Sequence, residues 1–269
     1  NHLKSLHLLP GIQEPEEVLL TWYSFNIHGD EASGAETSLK LLYYLALTKP
    51  DEKEVMVIDP CLNPDGRERY VQRFQGNSYN NAESNTQSWP EGRFNHYLSD
   101  LNRDWVWQIQ KESQARLKLF NAWMPHVHAD FHEMEAYKSY FFPPAAEPLH
   151  DAISPWQKNM LGEIGLSLEV LFKEKDWDYF TQKEFDLLYP SYGDTYATFN
   201  GAIGLTLEQG GGGKAGILLV QDSGDTLKLV DRIDKHFEVA KKINDVLLKN
   251  RIQIIENQQK YHLNAEKNG

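Results

Sequence analysis

In the stretch "NIHGDEASG" (26–34), a histidine and a glutamate stand three residues apart, offering an imidazole nitrogen and a carboxylate on one turn of backbone. The run before it, "VLLTWYSF", is apolar, so His28 and Glu31 sit where a buried strand emerges. Such a pair is two of the three protein ligands of a catalytic zinc, whose fourth position is left for water. His-x-x-Glu is a weak signal alone, and Gly29, Asp30 and Gly34 equally suit an ordinary surface turn. Distant segments supply the rest of the set. "HVHADFH" (126–132) alternates like a strand, placing His126, His128, Asp130 and His132 on one face. His128 and His132 therefore compete as third ligand. "AIGLTLEQ" (202–209) reads as another buried strand and delivers Glu208, whose basicity burial should raise. That carboxylate is a candidate general base.

These groups need a scaffold that brings their strands to one edge. "EVLLTWYSFNI" (17–27) is too continuously apolar for a sheet edge, and "EVMVIDPCL" (54–62) reads as a second strand ended by the turn "NPDG". Between them, 33–49 reads as a helix with Ser33 and Glu36 spaced as a capping box. Helices are expected at 111–124, stopped by Pro125, at about 155–174, and from Thr226 to about Tyr261. The polar stretch 75–95 reads as a long surface loop, and 176–198 as a loop rich in Asp, Tyr and Pro. Arg67, Arg69 and Arg73 read as a solvated helix face. Neither a repeat nor a dividing linker occurs, so 1–269 is read as one domain. The alternation predicts an α/β fold: a mostly parallel, mixed and twisted sheet with helices on both faces. Ligands in such sheets sit beyond the carboxyl ends of the strands, where His28, His132 and Glu208 fall.

Composition narrows the class. With 269 residues, 41% hydrophobic and 25% charged, the chain is ordinary for a globular domain. A net charge of −12 disfavours nucleic acid and anionic membrane surfaces as partners. No window is apolar for the ~18 residues of a membrane span. Cys61 is the sole cysteine, so any metal must rest on histidine and carboxylate. "GGGKAG" (211–216) fits G-x-G-x-x-G, but "ILLVQD" follows where a capped helix should begin, so it fails as a dinucleotide loop. Glu133 follows His132 without a second histidine four residues on, which excludes a helical HExxH site.

Taken in order, "HGDEASG", "NPDGRERY", "DLNRDW", "DFH" and "TLEQG" resemble the zinc carboxypeptidase family that includes pancreatic carboxypeptidases A and B. "RFNHYLSDLNRDW" and "FFPPAAEP" are most similar to its bacterial members, and the likeness runs from about Trp22 to Tyr261. The resemblance implies one Zn2+ per chain held by His28, Glu31 and His132, with Asp100 receiving the outer N–H of His28. It implies that Asn102 and Arg103 hold the free C-terminal carboxylate of a peptide, and that Arg93 stabilises the oxyanion. Glu208 becomes the base that activates the zinc-bound water and then the proton donor to the leaving amine. Tyr189 and Tyr192 lie where a substrate-capping tyrosine is expected, Tyr192 being preferred. Gly193 and Asp194 fall near the expected side-chain pocket, and Asp194 there would favour a basic terminal residue.

The family also has more sheet before its first ligand than the 27 residues here, which implies a chain starting mid-domain. Its bacterial members imply export to the periplasm or medium, although "NHLKSLHLLPG" lacks a signal-peptide pattern. Two other functions stay open at this stage. One keeps the metal but makes the chain an amidase or deacylase on acylated amino acids or cell-wall peptides. The other is a non-catalytic domain that binds peptide termini.

Overall fold

The computed structural model describes residues 17–48, 51–76, 89–220 and 224–268. In chain order the elements are β1 (Leu19–Phe25), α1 (Ala32–Thr48), β2 (Glu54–Asp59), α2 (Pro64–Gly76), α3 (Lys111–Trp123), β3 (Val127–Met134) and β4 (Tyr140–Phe141). They continue with α4 (Pro155–Glu174), β5 (Tyr179–Phe180), α5 (Gly193–Phe199), β6 (Ile203–Gly210), β7 (Leu218–Val220), β8 (Thr226–Lys228), α6 (Leu229–Lys249) and α7 (Arg251–Asn268). A six-stranded sheet runs in the order β2-β1-β3-β6-β4-β5, and β7 pairs with β8 in a separate ribbon. Within the large sheet only the β4–β6 pairing is antiparallel. The expected α/β architecture is the one observed.

Strand alternation divides the core. Leu19, Tyr23 and Phe25 of β1, with Val127, Ala129 and Phe131 of β3, face one side and pack under α1, α4 and α6. Phe25 and Phe131 stack there with ring centroids 4.6 Å apart. Trp22 faces the other side, against Leu117 and Phe120 of α3 and Ala197 of α5. Each fully buried aromatic removes enough apolar surface from water to contribute ~2–3 kcal/mol. Both faces are thus covered, and every residue of β1 and β3 is buried.

Several local expectations change. Helix α1 begins at Ala32, so Ser33 lies inside its first turn and no Ser33–Glu36 capping box forms. The Ser33 hydroxyl donates to Glu133 instead, and Glu36 accepts from Arg67 at 2.6 Å. Nor is Arg69 solvated: it donates to the carbonyls of Glu91, Phe94 and Asn95, tying α2 to the segment that carries Arg93. The expected helix from Thr226 is a strand, β8, followed by two helices parted at Asn250, whose side-chain amide turns back to the Val246 carbonyl. The loop expected at 176–198 contains β5 and most of α5. Most of the loop expected over 75–95 lies outside the described residues. Among the described residues, no helix is long and apolar enough to cross a membrane.

Candidate metal centre and active site

Parallel strands put their carboxyl ends together, and three of them deliver the candidate groups. After β1, Asn26 adopts a left-handed backbone (φ 58°) and its side-chain amide donates to the carbonyls of His28 and Glu31. That holds the turn so that both side chains point inward. Gly29 belongs to it for lack of space: a Cβ there would sit 2.2 Å from the Arg67 amide nitrogen. His132 comes from β3 and pairs in register with Glu208 of β6. Both strands run on past these residues, to Met134 and Gly210, so neither ends its strand as the sequence suggests.

His28, Glu31 and His132 are all buried, and one ligand atom from each lies within 4.8 Å of the others. Glu31 is the hub. Its Oε1 is 2.6 Å from His28 Nδ1, and its Oε2 is 3.1 Å from His132 Nδ1 and accepts the Glu133 amide at 3.0 Å. Both histidines turn Nδ1 inward and Nε2 toward a second carboxylate. His28 Nε2 bonds Asp100 Oδ1 at 3.0 Å, and His132 Nε2 lies 3.0 Å from Asp130 Oδ2. The second contact joins two side chains that are each 1% exposed. Two imidazoles and a carboxylate, each histidine backed by another carboxylate, form a donor set that fits Zn2+.

Electrostatics follows from this packing. Burial disfavours the imidazolium of His28, but Glu31 and Asp100 outweigh it and raise its pKa. For His132 burial is overcome by Asp130 and Glu31, and its pKa lies well above the ordinary value. Despite burial, Glu31 stays far below the usual carboxylate range because both histidines face it. Glu208 behaves differently: burial pushes it up to about 8, with His132 pulling it down and Glu31 adding to the rise. One of its oxygens is buried without a hydrogen-bond partner among the described residues.

His128 is not in this group. It lies four residues deeper along the strand, between Ser24 Oγ at 2.8 Å and the Gly193 carbonyl at 3.2 Å, and burial lowers its pKa to about 4. His126 accepts the Leu20 amide through Nδ1. A cavity of about 890 Å³ opens over the cluster, lined by His28, Glu31, Arg93, Asn102, Arg103, Tyr192 and Glu208 among others. Arg93 donates from Nε and Nη2 to Asp100 Oδ2 at 3.1 and 2.9 Å, leaving Nη1 3.3 Å from His28 Nδ1. Asn102 is buried, its Oδ1 accepting from Trp105 Nε1 and the Gly193 amide. The guanidinium of the more exposed Arg103 lies over the Tyr192 ring at 4.5 Å. Tyr189, the other tyrosine considered, accepts from Trp107 Nε1 instead. Asp194 also lines the cavity, but its carboxylate accepts from Thr206 at 2.7 Å and from the Thr195 amide at 2.6 Å.

A zinc carboxypeptidase family model matches residues 13–159, over half of the chain. The chain belongs to the zinc carboxypeptidase family. Carboxypeptidase 2 of Trichophyton tonsurans is 27% identical over 164 residues, which are 58% of this chain and 26% of that protein. The chain therefore spans about a quarter of the length of the curated relatives it matches. Among solved structures, a metallo-carboxypeptidase from Burkholderia cenocepacia superposes with a TM-score of 0.60 at 16% identity, covering 86% of this chain and 57% of the other. A metallo-carboxypeptidase from Pseudomonas aeruginosa, in complex with (2-guanidinoethylmercapto)succinic acid, gives 0.61 at 13%, covering 88% and 59%. These structural likenesses are of fold. The zinc carboxypeptidase family implies a metal cofactor, and the cluster of His28, Glu31 and His132 could hold one.

In the sequence Asp130 is marked only as sharing a strand face with the histidines, not as a partner of His132. The signal was there in its spacing, two residues before His132 on the same strand face. Arg232 and Glu133, an ion pair at 2.7 Å behind the cluster, had no local signal, being 99 residues apart.

Proposed function

We propose that this chain carries the catalytic site of a zinc metallocarboxypeptidase that hydrolyses the C-terminal peptide bond of peptides. One observation carries the reading: His28 and Glu31, which cluster with the buried His132, line one cavity together with Glu208, Arg93 and the Asn102–Arg103 pair. His28, Glu31 and His132 would hold Zn2+, which when bound supplies a Lewis acid that polarises a carbonyl and acidifies water. Arg103, half exposed at the mouth, receives the terminal carboxylate by a charge-assisted pair, with Asn102 beside it. That requirement limits cleavage to a chain end. Arg93, held through Nε and Nη2 by Asp100, aims Nη1 at the cluster, 3.3 Å from His28 Nδ1 and 3.7 Å from Glu31 Oε1, where it would meet the charge that develops on the scissile oxygen. Glu208, raised by burial, takes the proton of the attacking water and returns it to the departing amine. Tyr192, over Arg103, closes on the terminal residue. Asp194 lines the same cavity, and its carboxylate there would favour a lysine or arginine end over a glutamate.

The test is hydrolysis of N-blocked dipeptides with a free or an amidated carboxylate by zinc-loaded protein. Cleavage should need the free carboxylate. Equal cleavage of both would replace this reading by an amidase or deacylase, and zinc and peptide binding without cleavage of either would leave a terminus-binding domain.

A further inference from the structure

The glycine run that fails as a nucleotide loop is left without a role by the proposed chemistry. Residues 210–216 leave the end of β6 just after Glu208, and Gly212, Gly213 and Lys214 form part of the cavity wall. The amides of Gly211 and Gly212 donate to the Met134 carbonyl, at 3.0 and 2.8 Å, and the Gly213 amide reaches the Asp30 carbonyl at 3.4 Å. The loop therefore lies against the strand of His132 on one side and the turn of His28 and Glu31 on the other. Glycine is required by space: a Cβ at 211 would sit 2.6 Å from Arg232 Nη1, at a φ of +149°, and one at 212 would sit 2.6 Å from the Glu133 carbonyl oxygen.

Behind the loop, Arg232 in the first turn of α6 is buried, with 1% of its surface exposed. Nη1 donates to Glu133 Oε1 at 2.7 Å, and Nη2 donates to the carbonyls of Ala215 and of Gly216, the latter at 2.6 Å. Glu133 is equally enclosed, and also accepts from the amide and hydroxyl of Ser33. Its own amide holds Glu31 Oε2. The side chain of Gln209 closes the ring by donating to Ser33 Oγ and the Arg232 carbonyl. Burying this pair costs desolvation, which a hydrophobic pair of similar volume would avoid. The rigid fork of a guanidinium can bridge a carboxylate and two carbonyls, where an ammonium offers only a compact point charge.

We propose that Arg232 is a positioning residue: bonded to Glu133 on one side and to the Ala215 and Gly216 carbonyls on the other, it fixes the 210–216 loop as a wall of the substrate cavity beside Glu31 and His132. Its consequence for peptide binding rests on the carboxypeptidase reading; the clamp itself does not. The experiment uses the whole chain and compares Arg232→Met, Arg232→Lys and Gly211→Ala with the parent. Amide hydrogen exchange across 210–216, zinc stoichiometry, and KM and kcat on a blocked dipeptide are measured. In all three variants the loop amides should exchange at least tenfold faster and KM should rise about tenfold. Zinc stoichiometry should stay at one in Arg232→Lys, which keeps a charge on Glu133 but cannot reach both carbonyls, with kcat changed less than KM. If Arg232→Met fails to fold, the Lys and Gly211→Ala variants carry the test. Loop exchange and KM unchanged in Arg232→Lys would overturn the proposal, as would faster exchange spread evenly over the whole chain. A parent that cleaves no peptide, with loop exchange still raised in the variants, supports the clamp and removes the peptidase reading.

Discussion

The two histidines of the cluster are supported in opposite ways. Asp100, behind His28, lies on a loop and is fully engaged: it accepts from His28, from Arg93 through two N–H groups and from the Asn102 amide. Asp130, behind His132, is in a central strand, its side chain 1% exposed, and meets His132 Nε2 at 3.0 Å with no arginine or backbone amide hydrogen-bonded to it among the described residues. The first carboxylate couples the ligand to the groups that would touch substrate. The second couples it to the sheet, where the positive charges of His132 and Arg116 keep Asp130 ionised against burial. One side of the centre is built to communicate with the cavity and the other to hold still.

The largest expected break is Asp130→Asn. In the metal-free protein it removes one of the two carboxylates that face the buried imidazolium of His132, leaving Glu31 alone, which should cost about 3 kcal/mol in denaturant unfolding, and zinc should recover part of the loss. Next comes Arg93→Gln on the open side: kcat should fall about a hundredfold, while stability moves little because the residue is partly exposed. Unchanged kcat would remove Arg93 from the chemistry. Asp100→Asn should weaken zinc binding ten- to a hundredfold by competition titration, with a smaller stability loss than at Asp130. Equal stability losses at the two aspartates would erase the distinction between the two walls.

The last test is in pH. Zinc must displace protons from His28 and His132, both raised, so its affinity should fall as pH falls, by about tenfold per proton displaced per unit. The metal-free protein follows the opposite sign. Groups raised on folding stabilise it fully below the unfolded histidine value and lose that contribution as pH rises through the folded one. Melting curves at pH 6 and pH 8 should show the metal-free protein gaining least from its histidines at pH 8, and zinc stabilising it most there. A zinc-induced shift larger at pH 6 would contradict this linkage.

The parallel sheet was readable because central strands such as 17–27 are apolar on both faces and their ends carry the polar exceptions. His28 and Glu31 were legible as a pair because three residues on a turn bring them together. The choice between His128 and His132 was not, since alternation puts both on one face; depth along the strand separates them, and only the register of β3 against β1 and β6 supplies that. The capping box at Ser33 misled because the hydroxyl had a tertiary partner, Glu133, 100 residues away. Helix α6 ending at Asn250 depends on the asparagine's competing backbone bond, which apolar periodicity does not encode.

The central claim is that Nδ1 of His28 and of His132, with the Glu31 carboxylate, hold one Zn2+ while Asp100 and Asp130 occupy the outer nitrogens. Anomalous diffraction at the zinc edge on a zinc-soaked crystal tests it directly. One peak per chain is expected, about 2.0–2.2 Å from those three ligand atoms. A peak bound through Nε2 of either histidine, or elsewhere in the molecule, would contradict it.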